Sequence, residues 1–173
     1  MQMTLRRRGF TILEVLIALL VFSLGMLGMA GLLIVSVRTN HSAYLRTQAS
    51  FLAQSMTDRM RANMPRVWTG DYEVGYPTSD SDPCVGGAAC SRANIATRDK
   101  SQWSTQLRDL LPNATAVIAC DPTAGVAISA DDARNGAPYA GLCRMEINWS
   151  EASIDRDATG PLPQQTFVWI FQP

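Results

Sequence analysis

The chain has 173 residues, 47% hydrophobic and 17% charged, and its 15 basic and 15 acidic side chains cancel. That length suits one domain with an appendage, and the zero net charge excludes a generally basic nucleic-acid binder and a polyacidic disordered chain. A single histidine, His41, beside four cysteines speaks against a His-rich metal site or a His-based triad.

The charged share is low because charge nearly vanishes in one stretch. Arg6, Arg7 and Arg8 precede Gly9, and the next 28 residues, Phe10 to Val37, carry only Glu14 as a charge. About 20 apolar residues span a bilayer as a helix. The run is too long for the apolar region of an ordinary cleaved signal peptide. Three arginines ahead of it, with no matching cluster behind, predict a cytoplasmic N-terminus and an exported remainder from Arg38 onward. A plain anchor leaves Glu14 unexplained, since a carboxylate in an apolar run costs on the order of 2.5–3.5 kcal/mol when central and less near the headgroups, to which it can snorkel. Gly25, Gly28 and Gly31 form a small-residue row suited to close helix packing, or alternatively to a bend.

The order Arg-rich leader, Gly9, Phe10, Thr11, two aliphatic residues and Glu14, followed by VLIALLVF, resembles the type IV prepilin signature. The resemblance implies that residues 1–9 are a leader cut off between Gly9 and Phe10 by a prepilin peptidase, and that Phe10 is then N-methylated. It also implies that Glu14 meets the new amine of a neighbouring subunit's Phe10 and so guides subunit docking. Removing the leader takes away three arginines, leaving 12 basic and 15 acidic side chains. The Ile12-Leu13 order is swapped relative to the usual pattern. The proline that many pilins carry within this helix is absent between Phe10 and Val37.

Residues 10–37 are thus expected to form a transmembrane and assembly helix, and residues 38–63 its amphipathic continuation. Leu45, Ala49, Leu52, Met56 and Met60 make one stripe, with Arg46, Gln48, Ser50, Gln54, Asp58 and Arg61 largely off it. Pro65 predicts the stop. Residues 64–173 then form the head. Residues 65–100, rich in Gly, Pro, Ser and Asp, read as a long loop in which Trp68, Tyr72 and Tyr76 either anchor to the head or touch a neighbour. Residues 101–111 read as a short helix with Trp103, Leu107, Leu110 and Leu111 on one face, ended by Pro112. Strands are expected at 116–121, 125–130, 143–150 and 165–172, within 115–172, from their period-two patterning.

Cys84, Cys90, Cys120 and Cys143 all lie in the exported part, where an oxidising compartment favours disulfides. Of the three connectivities, Cys84–Cys90 would close a small loop and Cys120–Cys143 would tie two strands. A four-cysteine zinc site lacks the usual Cys-x-x-Cys spacing. Asp80-Ser81-Asp82 is an incomplete calcium pattern, cut short by Pro83.

The fold expected is α+β: a long N-terminal helix, membrane-spanning then amphipathic, packed on a C-terminal head with an antiparallel sheet of about four strands. No phosphate loop, nucleophile elbow or metal-spaced ligand set is visible in the sequence, so no enzyme activity, cofactor or metal is expected. Size, the long helix and the segment Trp103…Leu110-Leu111-Pro112 are similar to PilV-type minor pilins. That resemblance implies a single-pass inner-membrane subunit with a periplasmic head that joins other minor pilins and the major pilin. With the inner-membrane assembly platform, and with a tip adhesin as a further partner, such subunits prime filaments used in twitching and adhesion. A minor pseudopilin of a type II secretion system and a non-polymerising membrane-anchored binding module are the alternatives.

Overall fold

The structure, a computed structural model, describes residues 9–85, 89–125, 128–151 and 162–173. They fall into two compact units that divide between Ser42 and Ala43. One helix, α1 (Ile12–Ala62), supplies the described helix of the first unit and enters the second. The elements that follow are α2 (Met64–Trp68), β1 (Gly75–Tyr76), α3 (Arg92–Leu110), β2 (Thr115–Asp121), a 3-10 turn (Pro122–Ala124), α4 (Ala130–Arg134), β3 (Leu142–Ser150) and β4 (Gln164–Phe171). A long helix followed by a head with a four-stranded antiparallel sheet is the α+β architecture expected.

In the first unit every residue from Gly9 to His41 is exposed. The backbone is helical without a break through Gly25, Gly28 and Gly31, and nothing approaches the position where a Cβ would stand on any of them. Ser23 Oγ donates to the Leu20 carbonyl at 2.8 Å and Thr39 Oγ1 to the Val35 carbonyl at 3.0 Å. Both hydroxyls are satisfied within the helix by back-bonding to a preceding carbonyl.

In the second unit the expected stripe of α1 is buried: Leu45, Ala49, Leu52, Met56 and Met60, joined by Ala53 and Thr57. The sheet runs in the order β1-β2-β3-β4, antiparallel throughout. One face carries Ala116, Ile118, Cys143, Met145, Ile147, Trp149 and Phe171 into the core with Trp103, Leu107 and Leu111 of the α3 region. Trp103 is fully buried, meets Tyr76 edge-on at 4.8 Å, and donates its indole N–H to the Leu52 carbonyl of α1 at 2.9 Å. A buried indole thus keeps its hydrogen bond while filling the core. The opposite face is exposed and mixed: Val117, Val168 and Ile170 flank Arg144 and Glu146, whose charges meet at 2.7 Å. The Arg144 hydrogen bond holds the Glu146 carboxyl below its ordinary range.

Several expected boundaries shift. Pro65 does not mark a simple stop. The first helix ends at Ala62, and Pro65 sits in the opening turn of α2, where a missing N–H leaves no helical bond unmade. Residues 65–100 are not one loop, since α2, β1 and the start of α3 lie within them. The helix expected at 101–111 begins at Arg92, capped by Ser91 Oγ, which accepts the Asn94 N–H at 3.2 Å. Its buried stripe is Ala96, Asp99, Trp103 and Leu107, and the acid in that row hides the helical period. The strand expected at 125–130 is not formed in its described residues: Ala130 opens α4 behind the Ser129 cap, and Gly125, Ile128 and Ser129 are not strand. Val126 and Ala127 lie outside the described residues. A Cβ on Gly125 would collide with the Ala140 carbonyl, so a close backbone contact, not a ladder, sets this segment. The missing strand is replaced by β1 at the far edge.

Asp99, buried on α3, collects three parts of the head. Its Oδ1 receives Arg59 Nη1 of α1 at 3.1 Å, and its Oδ2 receives the Tyr72 hydroxyl at 2.9 Å. Asn63 Nδ2 donates to that hydroxyl oxygen at 3.3 Å and to the Arg92 carbonyl at 2.8 Å. Burial first, then the Asp99 charge, pushes the Tyr72 phenol well above its ordinary value. Asp99→Ala strands a guanidinium and a hydroxyl, and should lower unfolding stability by about 3 kcal/mol, read from the urea midpoint. The phenol titrates near 10 in the unfolded chain and higher in the folded one, so its contribution is intact below about pH 10 and lost as pH rises past it. Alkaline unfolding should coincide with tyrosinate absorbance, and Tyr72→Phe should make the loss of stability with pH shallower.

Candidate functional site

The N-terminal segment is the candidate site, and its local geometry follows from four residues. Phe10 and Thr11 precede the helix. Thr11 Oγ1 accepts the Glu14 N–H at 3.3 Å, and the Thr11 carbonyl accepts the same N–H at 3.1 Å and the Val15 N–H at 3.3 Å. Thr11 is therefore the N-cap, and Thr11-x-x-Glu14 is the capping-box spacing. Sequence reasoning overlooked Thr11, although the signal was present in that spacing. Glu14 lies in the first helical turn, where the unpaired amide N–H groups and the helix dipole favour a negative side chain. That placement offsets part of the cost of a carboxylate in an apolar run.

Beyond Glu14 the segment offers mainly apolar surface, and the Ser23 hydroxyl is satisfied within the helix. Ile12, Leu13, Leu16, Leu20, Leu27 and Leu32 are all more than half exposed, distributed around the helix. A helix apolar on all sides belongs in lipid or among similar helices. Residues 12–62 form the one helix, among the described residues, long and apolar enough to cross a membrane.

The cysteines singled out from the sequence pair as Cys84–Cys90 and Cys120–Cys143. The second bond links residues that face each other directly across β2 and β3. Cys120 also donates its backbone N–H to Glu73 Oε2 at 3.1 Å, so a carboxylate closes the β2 edge beyond the short β1. Asp80 meets Lys100 at 3.7 Å, and Asp82 accepts the Cys84 N–H at 2.8 Å, which ties both acids into loop contacts. Tyr72 and Tyr76 are buried, while Trp68 packs against Tyr139 with ring centroids 4.6 Å apart and tilted planes, and donates its indole N–H to the Ala137 carbonyl at 3.0 Å. All three anchor the 64–76 segment to the head.

Residues 4–30 match the family model described as the prokaryotic N-terminal methylation motif. Over this N-terminal segment the chain is type IV prepilin-like. No curated protein and no solved structure shows a significant match. For a prepilin-like chain the motif implies processing by a prepilin peptidase and assembly with other pilins, and the apolar helix fits a membrane-anchored pilin. The matched residues hold the N-terminal features described above: Gly9, Phe10, the Thr11 cap, Glu14 and the first three-quarters of the apolar run. The full chain should stay with membranes through alkaline carbonate washing. A chain lacking residues 1–37 should move to the soluble fraction, as read by fractionation and immunoblotting.

Proposed function

We propose that this chain is a minor pilin of a type IV pilus. Its leader, residues 1–9, holds three arginines in the cytoplasm while the helix spans the inner membrane and the head stands in the periplasm. Prepilin peptidase cuts between Gly9 and Phe10 and methylates Phe10. The freed amine then serves the Glu14 of an adjoining subunit, because a carboxylate within a bundle of apolar helices needs a cation or a donor. Cleavage thereby licenses assembly. The processed subunit joins other minor pilins to prime the filament at or near its tip, on the inner-membrane assembly platform.

The single observation that carries this reading is the juxtaposition at the N-terminus: Gly9-Phe10 immediately ahead of a capped helix whose first turn holds Glu14, the one acid before Asp58, followed by apolar residues exposed on every side. A plain anchor needs the apolar residues but neither the Gly-Phe junction nor the acid. The minor-pilin assignment, as opposed to pseudopilin, draws support from the head, through the Trp103…Leu110-Leu111-Pro112 segment and the overall size.

Mass spectrometry of protein recovered from cells should show a chain that starts at N-methyl-Phe10. Deleting the gene should remove surface pili and twitching while type II secretion continues. Glu14→Ala should leave the protein in the membrane and processed, yet reduce its recovery in sheared filaments by tenfold or more, about 1.4 kcal/mol of docking free energy. A chain that still begins at Met1, or an alanine variant that assembles normally, would refute the proposal.

A further inference from the structure

The two edges of the head's sheet are treated differently. Four contacts fix which way the backbone groups of β4 point. Cys120 and Cys143 are opposite one another with Cα atoms 4.0 Å apart, the close spacing of a non-hydrogen-bonded antiparallel pair. Consistent with this, the Cys120 N–H turns away from β3 toward Glu73. The alternation then directs the odd-numbered residues of β3 toward β4, and the Glu151 N–H indeed reaches the Pro163 carbonyl at 3.0 Å. Odd residues of β4 therefore face β3, and even residues face outward. The Gln172 carbonyl obeys that rule and accepts from Arg61 Nη2 at 3.1 Å.

Gln164, Thr166, Val168 and Ile170 consequently present N–H and C=O groups along the free edge, repeating at about 6.8 Å. Among the described residues no hydrogen bond reaches those outward groups. Their side chains are exposed, Val168 by 43% and Ile170 by 65%. Edge strands are commonly blunted by a charge, a proline, a bulge or a covering element. β4 has no charged residue and no proline, and its eight-residue register with β3 is unbroken. Arg46 touches only the Gln165 side chain, and Arg61 only the Gln172 carbonyl, so the α1 arginines bracket the open span without closing it. At the opposite edge, β1 covers part of β2 and Glu73 stops the rest.

We infer that β4 receives an extended strand from a different protein chain, uncharged at its centre and carrying aliphatic side chains beside Val168 and Ile170. Backbone groups spaced at a two-residue repeat are met together only by another extended backbone, the mode of β-strand addition. A head-to-tail second copy would have to offer its β1–β2 edge, which Glu73 obstructs. An antiparallel pairing of two β4 strands would reverse their accompanying helices, since α1 contacts Gln165 through Arg46 and Gln172 through Arg61. That arrangement sets the Ala43 ends on opposite sides, whereas subunits anchored in one membrane enter from the same side. This last step rests on the membrane-anchored pilin reading proposed above.

The test uses the full chain in the cells that make it, with p-benzoylphenylalanine at Val168 or at Ile170 and, as a control on the same sheet face away from the edge, at Val117. Adducts are expected at 168 and 170, mapped by peptide sequencing to one extended segment of another protein, with none at 117. With the probe at 170, Val168→Pro should abolish the adduct. The lost N–H points away from β3, so the sheet keeps its pairing. Val168→Lys, which retains the N–H and places a charge on the edge, should abolish it too, and thermal unfolding of each variant confirms an intact head. Absence of adducts at both positions, adducts to a second copy, or adducts that survive both variants would overturn the inference. The N-terminal mass of the same sample reports separately on the pilin reading. N-methyl-Phe10 without adducts rejects the strand contact alone, and an unprocessed terminus with adducts rejects the pilin reading alone.

Discussion

One buried carboxylate organises the head. Asp99 stands in a helix row otherwise made of Ala96, Trp103 and Leu107, and it joins α1 through Arg59 to the segment after α2 through Tyr72. A buried ion pair adds little net stability over an apolar replacement, because desolvation opposes the attraction. Its effect here is positional. The two oxygens of Asp99 accept from two different segments, and Asn63 joins Tyr72 to the Arg92 carbonyl at the start of α3. The register of α3 on α1 is thereby specified by directional bonds at one end and by the Trp103 indole on the Leu52 carbonyl further along. Apolar packing alone tolerates sliding; directional bonds do not.

The apolar N-terminal segment obeys the opposite logic. Its residues make almost no contacts of their own beyond helical bonds and the Thr11 cap. Its side chains suit lipid and other helices equally, since lipid tails are as apolar as leucine and small-residue rows allow close approach. Within that uniform surface Glu14 is the only charged side chain between Phe10 and Val37, and it stands in the first helical turn.

Much of this was legible in the residues. The N-terminal signature, the buried stripe of α1, the period-two runs of β2, β3 and β4 and the face of Trp103, Leu107 and Leu111 were all visible as patterns. What was hidden has physical causes. The first turns of α3 place small or polar residues toward the core, with Asp99 where an apolar residue would announce a helix. β1 spans two residues, too few for any period to show. The segment around Gly125 is alternating and apolar enough to resemble a strand, yet its path is set by backbone contact with Ala140, a long-range constraint that local patterning does not carry. Thr11 and Glu14 carry two patterns at once, the signature and the capping spacing, so the cap is masked by the motif that shares its residues.

The covalent link between β2 and β3 adds a form of proofreading. A slip of one residue between these strands would exchange their faces, turning Arg144 and Glu146 inward and Met145 and Ile147 outward. In that slipped alignment Cys120 would no longer lie opposite Cys143, so the bond could not close. Oxidation therefore seals only the alignment that keeps charge outside the head's core.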